Sequence, residues 1–279
     1  MKTLFLYLIA ILSIFHHQTL LYENQKILFF FLENLLPSLF ILCVLVQMIP
    51  LPHFSGTDRF FMKVFGFDTS TFLLIIKVIL LGLPSGSYLV NTLVKSKQCT
   101  QKQAARIITC CAIPSISFML MSLASLTSQI VSLSVFLIHL TSLLILLFLT
   151  RKNTITLEHI PSPLSLSSSI LFALKSMAMI LSYLFLSITL KTLFVLYFPF
   201  LEEITHLLSE FSSAVLYFRH HEHNMIFLLI CIGFGGFASH LQVMNGCDEI
   251  TMSYNHYLFF QIAHMLLNLM IYFIFSFIF

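Results

Sequence analysis

Two apolar stretches of this chain are interrupted by glycine where a membrane-spanning helix would run unbroken: Gly82-Leu83-Pro84-Ser85-Gly86 and Gly233-Phe234-Gly235-Gly236-Phe237. Hydrocarbon cannot hydrogen-bond the amides and carbonyls that such a break frees. Unwound backbone at membrane depth therefore survives only when buried in protein or lining a polar cavity. One break in each half of a polytopic chain is the sequence pattern of a transporter whose solute site lies near the midplane.

Composition supports the membrane setting. Only 9% of the 279 residues are charged, 58% are hydrophobic and the mean hydropathy is +0.98, whereas a soluble domain carries about 25% charged residues. A crossing needs roughly 20 apolar residues, so the length allows about seven to nine spans. The net charge of +3 is small and spread over several connections, which gives no footing for nucleic acid. Trp is absent, so Tyr and the 31 Phe must supply any aromatic belt. The six cysteines (Cys43, Cys99, Cys110, Cys111, Cys231 and Cys247) show no CxxC spacing and sit mostly in apolar runs, as small hydrophobes do.

Apolar runs fall at about 3–21, 27–49, 70–94, 104–126, 129–150, 169–199, 202–218, 225–245 and 256–279. Lys2 followed by an apolar run to Phe15 has the shape of a signal sequence without a small-x-small cleavage site, which predicts an uncleaved first helix over 1–26. The Pro- and Ser-containing stretch 151–168 reads as a linker between two halves, 27–150 and 169–279. Lys95, Lys97, Lys102 and Arg106 form one basic cluster and Arg151 and Lys152 another. Two runs separate them, so both fit one side, which the positive-inside rule makes cytoplasmic. Whether run 70–94 crosses or turns back decides the parity of the remaining spans.

Four groups of residues offer chemistry. Pro84, Ser85, Gly86 and Ser87, with Ser115 and Ser117 of the next run, combine a missing backbone donor with small hydroxyls. They can hold a ligand, or simply kink two structural helices whose serines bond back to their own turns. Gly235 and Gly236 permit close approach of a backbone or ligand, and Ser239, His240 and Gln242 follow within two turns; helix packing through small residues is the alternative. Glu202-Glu203-Ile204-Thr205 places carboxylates beside an apolar run, either facing a cavity or solvated at an interface, with Lys175 and Lys191 as counter-charges or snorkelling cations. Arg219-His220-His221-Glu222-His223 has spacing too poor for one helical face and reads as a loop rather than a metal site. His264 reads as a packed, hydrogen-bonding histidine. No metal, cofactor or catalytic pattern is present, and nothing points to an enzyme. A homo-oligomer is left open.

At these residues the chain resembles the YlbJ-type sporulation integral membrane proteins, whose nucleoside-recognition (Gate) domains resemble concentrative nucleoside transporters. Gly82-Leu83-Pro84-Ser85-Gly86-Ser87, continued by Thr100-Gln101-Lys102-Gln103-Ala104-Ala105-Arg106, is similar to the family's glycine–proline segment. Pro37-Ser38-Leu39-Phe40 is similar to its LPSLFPF segment, Glu203-Ile204-Thr205 to its E-x-T-x-G segment, and Phe234–Val243 to its FGGxSxHxQV segment, the most specific match. Departures are Leu207 for a glycine, Ile41 for a proline, and Ala112-Ile113-Pro114-Ser115 without the family's asparagine. The resemblance implies an all-α bundle with broken or re-entrant helices and two Gate-like repeats. It also implies a cell-membrane (in sporulating cells forespore-membrane) carrier of a small polar solute such as dipicolinate or a nucleoside. Its site would draw on Pro84, Ser85, Gly86, Ser87, Ser115, Ser117, Glu203, Thr205, Gly235, Gly236, Ser239, His240 and Gln242. A non-transporting scaffold for spore-envelope assembly is the alternative.

Overall fold

The structure, a computed structural model, describes residues 2–51, 58–111, 113–151, 162–211, 215 and 225–278. These residues form helices and no strand. Among the described residues, five helices are long and apolar enough to cross a bilayer: His17–Met48, Gln129–Leu149, Leu166–Tyr197, Met225–Gly246 and Tyr254–Phe277. The chain is a membrane protein of all-α architecture.

Helix α1 is Lys2–Phe15, and α2 runs from His17 to Met48. The polar stretch 22–26, which the sequence separates from run 27–49, is thus helical. Its 32-residue helix spans roughly 48 Å against a ~30 Å hydrocarbon core, so the polar end projects beyond the apolar slab. There several of its polar groups find partners. Asn24 donates to Leu20 O at 2.9 Å and to Thr189 Oγ1 at 3.3 Å, and Lys26 pairs with Glu23 at 2.7 Å.

Helix α3 is Asp58–Phe65. Helix α4, Thr69–Leu81, begins on Asp68, whose carboxylate accepts from Thr71 N at 2.9 Å. Helix α5 is Ser85–Lys95 and α6 is Gln101–Cys111. A π turn at Phe118–Ser122 running into Leu123–Leu126 makes α7. Helix α8 is Gln129–Leu149, capped by Ser128. Helix α9 is Leu166–Tyr197, α10 is Glu202–Ser209, α11 is Met225–Phe234, α12 is Gly236–Gly246 and α13 is Tyr254–Ile278.

Run 70–94 does not cross. It folds back as the hairpin α4–α5, and Gly86 makes the tight return possible because a Cβ there would meet Val78 O at 2.8 Å. Both ends of the hairpin lie at one end of the bundle, where Arg106 gathers the backbone. Its guanidinium donates to Phe65 O at 2.6 Å, Leu147 O at 3.1 Å and Thr150 Oγ1 at 3.2 Å. The two basic clusters therefore share an end as expected, except that Lys152 falls outside the described residues. From this basic end α6–α7 leads away and α8 returns. Helix α9 then leads away again, starting beside the end of α2 where Leu164 N donates to Gln47 O at 3.1 Å. Helix α10 doubles back along α9, with Ser187 Oγ donating to Ser209 O at 3.2 Å. Helices α11–α12 come down to the basic end, and α13 leaves it.

The long helices form the frame: α9 packs along α2, and α13 packs along α8 and α11. Helix α2 carries its own π turn at Phe31–Leu35. It faces the π turn of α7, where Ser122 Oγ donates to Asn34 O at 3.3 Å.

A polar clasp joins the halves at the basic end. Gln101 Nε2 donates to Glu249 O at 2.6 Å, Glu249 N donates to Asn91 Oδ1 at 3.1 Å, and Thr251 N donates to Gln101 Oε1 at 2.7 Å. Asn91 also donates to the Asp248 carboxylate, with Lys95 3.2 Å away. Asn91 first, and Lys95 second, hold the Asp248 carboxyl below the usual carboxylate range. A depressed folded value stabilises above the unfolded value near 3.9 and is lost as pH falls through the folded one. The side chain is 61% exposed, so the effect is modest. Thermal unfolding in detergent between about pH 6 and about pH 3 checks it: the midpoint should fall on acidification, and Asp248→Asn should remove that part of the fall.

Candidate functional site

Both glycine breaks are partnered by a second break. At the first, Gly82 ends α4 with φ 61° and ψ −170°, a conformation that disfavours a side chain. Leu83 N then donates to Ile113 O at 3.0 Å, in the non-helical step between α6 and α7. The approach is so close that a Cβ on Gly82 would lie 2.2 Å from Ser115 N. Ser115 Oγ in turn accepts from Phe118 N at 3.1 Å and hydrogen-bonds Ser117 Oγ at 3.2 Å. The hairpin tip and the interrupted helix thus share a backbone hydrogen bond across the contact, which lowers the number of peptide groups left facing hydrocarbon.

The second crossing lies in the other half. Helix α10 ends at Ser209, and Glu210 is extended with φ −167° and ψ 138°. Against it sits the break between α11 and α12, where Gly235 has φ 84° and Gly236 φ 72°. A Cβ on Gly236 would lie 2.8 Å from Glu210 Cα and 3.0 Å from Ser209 C.

The two crossings face one small cavity. Leu83, Ser115 and Phe118 line it from the first, Glu210, Phe211 and Gln242 from the second half, and Leu35, Leu39, Ile180 and Leu184 complete the wall from α2 and α9. Its volume is about 20 Å³, room for about one water. Phe118 and Phe211 close one side in edge-to-face contact at 4.7 Å. Glu210 is 2% and Gln242 4% exposed. A carboxylate and a carboxamide at this depth are the costly groups that a membrane protein retains for function.

Of the residues singled out in the sequence, Ser115 and Gln242 line the cavity directly. Gly82, Gly235 and Gly236 shape the breaks around it. Pro84, Ser85, Gly86 and Ser87 form the buried first turn of α5 behind the tip. Ser87 Oγ donates to Pro84 O at 2.6 Å, and Ser85 meets the Cys43 thiol, so these hydroxyls serve helix packing. Ser117 supports Ser115. His240 packs 4.7 Å from the Phe234 ring and hydrogen-bonds the Tyr257 hydroxyl through Nδ1 at 3.1 Å. Ser239 is buried beside it, and neither residue lines the cavity. Glu203 is exposed on α10 and Thr205 donates to its own turn at Leu201 O, 2.7 Å, so neither reaches the cavity. His264 sits with His139, Asn268 and Ser142 in a separate buried network between α8 and α13, with the two imidazole rings 5.1 Å apart. The stretch Arg219–His223 lies outside the described residues.

Sequence reasoning passed over Glu210, Phe118 and Phe211. For Glu210 a signal existed: it is the single charged side chain in the run 207–218. Comparison of the chain with family models, curated proteins and solved structures gives no match.

The two adjacent glycines separate in their expected sensitivity. Gly235 has open space, with Ser239 Cβ nearest at 3.8 Å, so Gly235→Ala carries only left-handed strain of about 1–2 kcal/mol. Gly236→Ala adds a backbone overlap, a further ~1–3 kcal/mol. Unfolding midpoints in detergent should therefore rank wild type, Gly235→Ala and Gly236→Ala in falling order, with all three inserted in the membrane.

Proposed function

We propose that this protein is a carrier that moves a small polar solute across the cell membrane by alternating access. One observation carries the reading: a backbone break from each half converges on a single buried cavity that holds a carboxylate and a carboxamide. That convergence removes the desolvation cost of each break and creates a polar site in the same place.

The chain path supports it. In the first half α2 runs to the basic end, the hairpin α4–α5 enters from that end, α6–α7 leaves and α8 returns. In the second half α9 leaves the basic end, α10 enters from the opposite end, α11–α12 comes back and α13 leaves. The second order is the first turned upside down, which is the inverted-repeat plan of many secondary carriers. The segments that build the crossings, Gly82–Ser87 and Phe234–Val243, are also those that resemble the YlbJ-type family and its Gate domains.

The wall favours an uncharged hydrogen-bonding solute of the nucleoside kind over the dianion dipicolinate. Glu210 lies against the first residue of α12, where a helix N-terminus would otherwise attract an anion. The cavity as it stands has a volume of about 20 Å³, too small for such a solute, so solute entry requires one tip to withdraw from its crossing.

Uptake of labelled nucleosides and dipicolinate into proteoliposomes tests the reading. Glu210→Gln and Gln242→Ala should each reduce uptake of the transported class by about ten- to hundred-fold, the loss of one strong buried hydrogen bond. Glu203→Gln should leave it unchanged. Absence of uptake of both classes would overturn the carrier in favour of a membrane scaffold.

A further inference from the structure

A groove of about 820 Å³ runs along the outside of the bundle, floored by α9 and walled by α1, α10 and α12. Its lining is apolar apart from a few side chains, among them Lys191. Within a bilayer such a lateral groove is filled by acyl chains; the unusual element is the cation inside it.

Lys191 is 9% exposed. Among the described residues, no carboxylate comes within ion-pair distance of its ammonium. The acidic groups that act on it from further away are Glu23, Glu202 and Glu210. Glu23 is already paired with Lys26 at 2.7 Å, Glu202 stands 3.9 Å from His206, and Glu210 lines the inner cavity. Lys191 lies six residues before Tyr197, the last residue of α9, roughly 9 Å along the helix. A lysine at that depth reaches the headgroup level through its flexible stem.

We propose that this groove is a specific site for a lipid with an anionic headgroup, its acyl chain lying along α9 and its headgroup neutralising Lys191. An isolated cation beside an apolar trough calls for an amphiphile of opposite charge, and a zwitterionic lipid leaves the charge only partly matched. The site is separate from the solute cavity, with which it shares no lining residue. It does not depend on the transport reading.

The absence of Trp from the chain makes the test clean. Phe194→Trp puts a single reporter in the groove, and Ile41→Trp puts one on the exposed face of α2, 60% exposed and outside the groove. Each full-length variant is reconstituted in phosphatidylcholine containing a minor fraction of brominated phosphatidylglycerol or brominated phosphatidylcholine, and quenching is compared. The groove reporter should be quenched several-fold more strongly by the brominated anionic lipid, and the Ile41→Trp reporter equally by both. Adding Lys191→Met should bring the groove ratio to one, and Lys191→Arg should keep it. Equal quenching of the groove reporter by the two lipids, or a preference that survives Lys191→Met, overturns the site.

Discussion

The hydrogen bond from Leu83 N to Ile113 O, together with the contact of Gly82 on Ser115, is the constraint on which the first half of the molecule rests. A helix hairpin that stops inside a bilayer exposes peptide groups at its tip, and each unsatisfied group costs several kcal/mol there. The tip can end only against another interrupted helix whose own loose groups face it. A similarly close backbone approach recurs where Gly236 meets Ser209 and Glu210. The long helices frame the two crossings: α2 and α9 lie against each other and wall the cavity together with the crossings, while α8 and α13 pack against each other elsewhere in the bundle.

The frame and the crossings differ in how firmly they are tied. The frame helices bury Leu, Ile and Phe along their lengths, while the crossings rest on few hydrogen bonds and on glycines with no side chain to interlock. Differences of that kind mark the elements able to move. The clasp of Asn91, Lys95, Gln101, Asp248 and Glu249 ties α5 and the start of α6 to the α12–α13 loop at the basic end. Any parting of the halves on that side must break charge-assisted bonds exposed to water, which are modest in strength and sensitive to salt.

Much of the fold was legible because lipid allows so few alternatives. Long apolar runs had to be helices, and glycine in two of them had to mean a break. Run 70–94 shows the limit: 25 residues suffice to cross, and nothing in their periodicity distinguishes a crossing from a hairpin. Only the contacts at both ends do. The site was half legible. Ser115 and Gln242 sit in segments with visible glycine or proline, whereas the break at Ser209–Glu210 has neither. An extended glutamate is a conformation open to any residue, so that interruption leaves no local mark. Its trace is indirect, in the absence of a Cβ on Gly236, 27 residues beyond Ser209 at the end of α10. Attention drawn to Glu203 by its neighbours missed the carboxylate seven positions on, which is the buried one.

The two π turns have a consequence of their own. Each inserts a residue beyond the α-helical repeat and so advances the phase of the following helix by about 100°. In α2 the turn at Phe31–Leu35 sets the azimuth at which Leu39 points; in α7 the turn at Phe118–Ser122 sets that of the stretch entering Leu123. Ser122 bonds to Asn34 O, so the two π turns meet directly. A rotation of either helix by one residue would therefore break the Ser122–Asn34 contact, at a cost of about 1 kcal/mol, and would re-aim the side chains that the π turn has set.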